Sequence, residues 1–262
     1  MCPILTFGAL EVHAYALFTW LGTLSACLLA LPALRRAGLS VAQSLATLAA
    51  MAVGFLVCAR LWNVAVNPTN FAAMPWYALR LAGLSLYGGL AGSAAALLLC
   101  VRLMRVAPLP VLDAMTVPGG VAFCLARVGC FLNGCCYGMA TNGPFGVSFP
   151  REQLADSLPG IFSFVANRPV HPTQLYELVG AALGLVAAVI AAKRLGGGAG
   201  VRFFCYALVF SLVRLLVLPL RALSYPPVVK SVLYPALYLG VIAVSVAGVW
   251  LLLRSRDARN GP

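Results

Sequence analysis

The sequence predicts an all-α membrane protein with seven transmembrane helices in one bundle. Three observations carry this. Of 262 residues, 62% are hydrophobic and only 9% are charged, where soluble domains carry about 25% charged residues. Apolar runs of about 20 residues, the length a bilayer requires, recur along the chain. The basic residues fall between these runs in an alternating pattern.

The seven candidate spans are Tyr15–Leu34, Ala42–Val66, Leu81–Met104, Leu109–Leu132, Leu175–Ala192, Phe203–Leu220 and Leu233–Leu253. Charges and prolines interrupt the fourth and sixth. The first eight residues have no basic segment, so the first span is expected to act as its own insertion signal.

Ten cations fall on one side of this arrangement: Arg35, Arg36, Arg102, Arg105, Lys193, Arg194, Arg202, Arg254, Arg256 and Arg259. Five fall on the other: Arg80, Arg151, Arg168, Arg221 and Lys230. The excess of Lys and Arg on cytoplasmic loops places the N-terminus outside and the C-terminus in the cytoplasm. The chain reads as a single integral membrane domain, residues 1–262. A long outer loop, 134–173, joins helices 4 and 5 and holds Arg151, Glu152, Asp156, Arg168 and His171. The net charge of +12 is spread between apolar runs, which argues for contact with anionic lipid headgroups and against nucleic-acid binding.

Charges inside the spans mark the functional candidates. Arg60, Arg127 and Arg214 lie within them, and Asp113 and Glu177 near their ends. A charge at the bilayer centre costs roughly 3 kcal/mol on insertion scales, so it pairs, faces the bundle interior or meets a polar ligand. Pairing of Arg60 or Arg214 with Asp113 or Glu177 is one outcome. Two acids cannot neutralise three arginines, and a phospholipid phosphate would supply the missing charge, since the planar guanidinium grips phosphate with two donors. The small residues of Gly88-Gly89-Leu90-Ala91-Gly92-Ser93 fit close helix packing better than a phosphate cradle, and Pro118-Gly119-Gly120 reads as a kink. Most of the nine cysteines lie in apolar runs, where Cys behaves as a small hydrophobe. Cys130, Cys135 and Cys136 match no zinc spacing, and a vicinal pair is poorly shaped for a disulfide. No metal or cofactor is assigned.

The segment Arg127-Val-Gly129-Cys-Phe131-Leu-Asn133-Gly134-Cys-Cys-Tyr-Gly138 resembles the signature of the prolipoprotein diacylglyceryl transferase family. The likeness continues in order through His13-Ala-Tyr15, Ala59-Arg60, Tyr87-Gly88-Gly89-Leu90-Ala91-Gly92, Asp113, Pro144-Phe145-Gly146, His171-Pro-Thr-Gln-Leu-Tyr-Glu177 and Arg214. The resemblance implies a bacterial inner-membrane enzyme that moves the diacylglyceryl group of phosphatidylglycerol to the lipobox cysteine of a prolipoprotein, forming a thioether. Its partners would be phosphatidylglycerol, the prolipoprotein signal segment and membrane lipids. It makes Arg127 and Arg214 the groups that stabilise the leaving phosphate and puts Tyr87, a poor base at neutral pH, among the catalytic residues in the place of a family His, which leaves Tyr15 or water to accept the proton. Arg60, Gly88, Gly89, Asn133, Gly138 and Glu177 would join Arg127 in binding substrate. The sequence departs from the family at Ala126, at Cys130 for an Asn, at Cys135 for a Glu, at Tyr87 for a His, and at Leu218 for a Glu. Two alternatives follow: a paralogue with another thiol acceptor, or a phospholipid-binding or transport protein without catalysis.

Overall fold

A computed structural model describes residues 4–7, 10–68, 84–149, 168–195, 198–222 and 226–260. Arg80, Arg151, Glu152, Asp156, and the Gly196 and Gly197 of the expected glycine turn fall outside the described residues.

The chain begins with a two-stranded antiparallel pair, β1 (Ile4–Phe7) and β2 (Leu10–His13), in which Ile4 pairs with His13 and Phe7 with Leu10. Among the described residues, this hairpin departs from the all-α expectation. Its apolar residues and its β-branched Ile4, Thr6 and Val12 suit a short strand pair.

Among the described residues seven long helices follow: α1 (Ala14–Arg36), α2 (Val41–Val66), α3 (Leu86–Leu103), α4 (Pro108–Leu132), α5 (Thr173–Arg194), α6 (Val201–Val217) and α7 (Tyr234–Asn260). Each is long and apolar enough to cross a membrane. They coincide with the seven expected spans. Their starts follow local chemistry. Ser40 caps α2 reciprocally with Gln43, which satisfies orphan amides at the helix N-terminus. Pro108 opens α4 where no intrahelical amide donor is needed. Helix α6 ends at Val217 and tightens into a 3₁₀ turn over Leu218–Leu220. A wider i→i+5 turn over Val229–Leu233 leads into α7.

Helix α2 packs with α3, α1 with α4, α5 with both α4 and α6, and α6 also with α7. Small residues let these backbones approach. Gly88, Gly89 and Gly92 of α3 lie against Cys58, Phe55 and Gly54 of α2, with no room for a Cβ. The glycine run is therefore a helix-packing surface, and Gly88 and Gly89 hold α3 to α2. Leucines such as Leu28, Leu61, Leu183 and Leu216 stand exposed on the outer faces, as lipid contact requires.

The Gly92→Val variant places its side chain into the Gly54 carbonyl. Overpacking costs about 1–3 kcal/mol, and the upper end is expected here because the obstacle is backbone. Gly119→Ala, which meets nothing within 4 Å, is expected to be neutral or slightly stabilising. Thermal melting of the two variants in detergent reads the difference.

The connections 35–41, 102–108 and 193–201 and the end of α7 share one end of the bundle. There Asp113 accepts hydrogen bonds from the backbone N–H groups of Gly200 (2.8 Å) and Phe203 (2.7 Å), and Arg256 donates to the Leu195 carbonyl. Asp113 thus caps α6 electrostatically, where a negative charge suits the helix N-terminus. Among the described residues Asp113 forms no ion pair with an intramembrane arginine, its two oxygens being spent on these amides; of the pairings weighed from the sequence, it is Arg214 with Glu177 that forms.

Candidate active site

At the opposite end, Glu177 lies one turn inside α5 and is 2% exposed. Three arginines converge on it. Arg127 Nε of α4 lies 3.0 Å from Oε2, Arg214 Nη1 of α6 lies 2.5 Å from Oε1, and Arg221 Nη1 lies 3.2 Å from Oε1. Arg214 also donates to the Tyr87 hydroxyl, and its guanidinium carbon lies 5.0 Å from that ring's centroid. Arg127 sits over the Phe123 ring at 4.7 Å. Among the described carboxylates and guanidinium groups, one against three leaves a surplus of two positive charges in a buried setting. The Nε atoms of Arg214 and Arg221 are buried with no hydrogen-bond partner among the described residues. Buried donors in that state are costly unless a ligand meets them, and an anion is the ligand that fits.

Arg221 is the site residue that sequence reading missed. It follows the 3₁₀ turn at the end of α6, and topology alone places it among the outer-loop cations. Backbone pairing brings it inward. Gly138 bridges Arg221, Met139 N–H donates to the Leu220 carbonyl (2.7 Å), and Gly138 N–H donates to the His171 carbonyl (2.8 Å). Lys230 holds the same segment by donating to the Arg221 carbonyl (3.2 Å). Gly138 has no space for a Cβ, since Leu220 O, His171 Cβ and Thr173 Cγ2 surround it. The glycine thus lets the loop cross between the two segments.

The stretch after Arg127 folds back by a specific turn. Gly134 has φ +69°, its N–H donates to the Phe131 carbonyl, and Cys135 N–H donates to the Cys130 carbonyl (3.0 Å). This pair of bonds is a Schellman C-cap, which needs a left-handed residue such as glycine at the turn. Asn133 is the cap residue of α4, and its side chain hydrogen-bonds Cys135. The buried side chains of Thr173 and Gln174 then donate to the carbonyls of Cys136 (2.8 Å) and Cys135 (2.7 Å). The His-Pro-Thr-Gln-Leu-Tyr-Glu segment therefore has two tasks: it pins the loop and sets Glu177 under the arginines.

Of the residues expected to act, the structure gathers Arg127, Arg214, Glu177 and Tyr87. Asn133 and Gly138 shape the adjoining loop. Tyr15 of α1 packs against Gly129 near Cys130, Cys135 and Cys136. Arg60 is half-buried on α2, and Gly88 and Gly89 lie at the α2–α3 contact. Leu218, where the family likeness would place a carboxylate, packs with Tyr234, Tyr238 and Tyr87.

Cys136 is exposed yet crowded by protein atoms. Exposure governs reagent access, and crowding governs charge stability. Contacts with the Cys130 and Cys135 thiols hold its thiol well below the ordinary value, against burial, with help from Arg127 and Arg221. Cys135 is lowered by Cys130, but its contact with Cys136 and burial push it up to about 12. The thiolate is the nucleophile. Iodoacetamide at pH 7 is therefore expected to modify Cys136 well before Cys135 in reduced protein. Peptide mass mapping over time checks the order.

These features define a class: a polytopic helical membrane protein with a buried, cationic site at one end of the bundle. The chain belongs to the prolipoprotein diacylglyceryl transferase family, whose model matches residues 3–254, which makes it a multi-pass protein of the inner membrane in a family of transferases. Its relatives include three proteins named phosphatidylglycerol–prolipoprotein diacylglyceryl transferase. The one from Geobacter sulfurreducens is 30% identical over 216 residues, covering 80% of this chain and 78% of that protein. The one from Tropheryma whipplei is 26% identical over 256 residues, covering 94% and 90%. The one from Cereibacter sphaeroides is 35% identical over 133 residues, and that match spans 49% of this chain and 44% of the relative.

Proposed function

We propose that this chain transfers the diacylglyceryl group of phosphatidylglycerol to the cysteine thiol of a prolipoprotein, with its N-terminus and arginine site facing outward. The observation that carries the reading is the buried surplus of two positive charges around Glu177. The phosphodiester of the donor lipid meets that charge. The acceptor sulfur attacks the glyceryl carbon, the C–O bond to phosphate breaks, and glycerol phosphate leaves. Negative charge grows on the departing phosphate, where preorganised guanidinium donors stabilise the transition state more than the ground state. Glu177 holds the arginines in place and is a positioning residue.

The test is direct. Purified protein, vesicles containing phosphatidylglycerol and a synthetic lipobox peptide should yield a peptide heavier by one diacylglyceryl group. A peptide with Ser in place of the acceptor Cys should gain nothing. No mass gain on the Cys peptide, from protein that melts cooperatively, refutes the reading.

A second reading, phospholipid binding without turnover, draws support from Tyr87 and Leu218. The Tyr87 hydroxyl is engaged by Arg214, and Leu218 brings no carboxylate to the site. It predicts co-purified phosphatidylglycerol that is never consumed.

A further inference from the structure

The proposed transfer leaves one requirement open: the acceptor thiol must lose its proton. Among the described residues, the two candidates beside the arginines are both engaged, Glu177 by three guanidinium groups and the Tyr87 hydroxyl by Arg214. Directly beyond Arg127, however, the Sγ atoms of Cys130, Cys135 and Cys136 lie within 4.8 Å of one another. Sequence spacing gave no reason to expect this. The Schellman turn at Gly134 produces it by stacking Cys135 on the helical turn that carries Cys130. Cys136 is then held at φ +62°, a left-handed conformation uncommon for a side chain bearing a Cβ. Side-chain hydrogen bonds from Thr173 and Gln174 fix both carbonyls. Strained backbone that its surroundings hold in place is a common mark of a functional site.

We propose that Cys130, Cys135 and Cys136 bind a thiophilic divalent cation, of which Zn2+ is the natural example, and leave a fourth position for the thiol of the acceptor. The acceptor half of this statement rests on the transferase reading above. At a Zn–S distance of about 2.3 Å, tetrahedral ligands stand about 3.8 Å apart, so the thiols need draw together by no more than about 1 Å. Burial falls off from Cys130 (buried) through Cys135 (intermediate) to Cys136 (exposed), which opens one side of the triad. Three protein ligands with an open fourth position is the arrangement of catalytic rather than structural sites.

The chemistry closes without a separate base. A thiol that coordinates such a cation is deprotonated, and its proton passes to solvent. The sulfur lone pair forms the S–C bond to the terminal glyceryl carbon. The C–O bond to phosphate breaks, its electron pair stays on oxygen, and glycerol phosphate departs toward the arginines. The cation keeps its charge throughout, and the neutral thioether, a weaker ligand, is released.

Cobalt serves as the spectroscopic probe. Full-length protein in detergent, reduced and freed of metal with a chelator, is titrated with Co2+. One equivalent should give a near-ultraviolet thiolate-to-cobalt band. Cys130→Ser, Cys135→Ser and Cys136→Ser should each lose most of it, and Cys27→Ala should keep it. A lipobox peptide with Cys should raise the band further, while its Ser counterpart should not. A band absent from the native chain, unchanged in the three variants or indifferent to the Cys peptide overturns the proposal.

Should the variants misfold, the unsubstituted chain still decides. Zn2+ should shield Cys130, Cys135 and Cys136 from iodoacetamide and leave Cys27 reactive, and equal labelling with and without Zn2+ counts against the site. Peptide mass is followed in parallel. A cobalt band that answers the Cys peptide without any transfer supports the cation site and fails the transferase reading. Transfer that survives both chelator and the three serines overturns the cation site and keeps that reading.

Discussion

Glu177→Gln is expected to destabilise the protein by about 3–5 kcal/mol, the cost of breaking a buried ion pair by removing one partner. The amide is nearly the same size, so the loss is electrostatic. Three guanidinium groups within 3.2 Å of the carboxylate would face one another with no counter-charge. The melting temperature in detergent and resistance to protease report the loss. Arg221→Gln in the same background should recover part of it, because it removes one repelling cation. A Glu177→Gln chain that melts with the native protein would mean that the arginines are neutralised by something other than this carboxylate.

The second large effect concerns Arg127. Arg127→Lys keeps a positive charge but replaces a planar fork by a single ammonium. The side chain could no longer meet Glu177 and a phosphate oxygen in one plane. A fall of about 10²–10³ in the transfer rate is expected, the scale seen when one preorganised donor is removed from a developing anion. The variant should melt close to the native protein, since a cation stays beside Glu177. Parallel measurement of transfer and melting separates the two roles: a rate that follows the melting temperature would assign Arg127 to structure alone.

The bundle was legible because lipid imposes a single rule on the sequence. Each of the seven helices overlaps an expected apolar run: Thr173, which opens α5, lies two residues before the expected start, while α7 runs on to Asn260, past the expected Leu253. Arg127, Arg214 and Glu177 stood out because charge within such a run is costly. What escaped was set by geometry beyond a single helix. Arg221 reads as a loop cation until the backbone pairing of 138–140 with 169–171 and 220–221 draws it in. Asp113 reads as an intramembrane counter-ion until α6 presents its free amides. The spacing of Cys130, Cys135 and Cys136 matches no zinc pattern, and it is the turn at Gly134 that brings their sulfurs together. Thr173 and Gln174 carry no charge to betray them, yet they join the cysteine loop to α5.

The placement of Glu177 also orders events during synthesis. Arg127 crosses into the membrane with α4, but its counter-ion lies fifty residues further along the chain. At about 5–20 residues per second, the arginine waits roughly 3–10 s before α5 can supply the carboxylate. Over that interval an isolated α4 carries a penalty of roughly 3 kcal/mol in lipid. The nascent chain therefore depends on the shelter of the insertion machinery until its fifth helix emerges, and a chain arrested between residues 132 and 173 would present its quality-control systems with an unpaired cation.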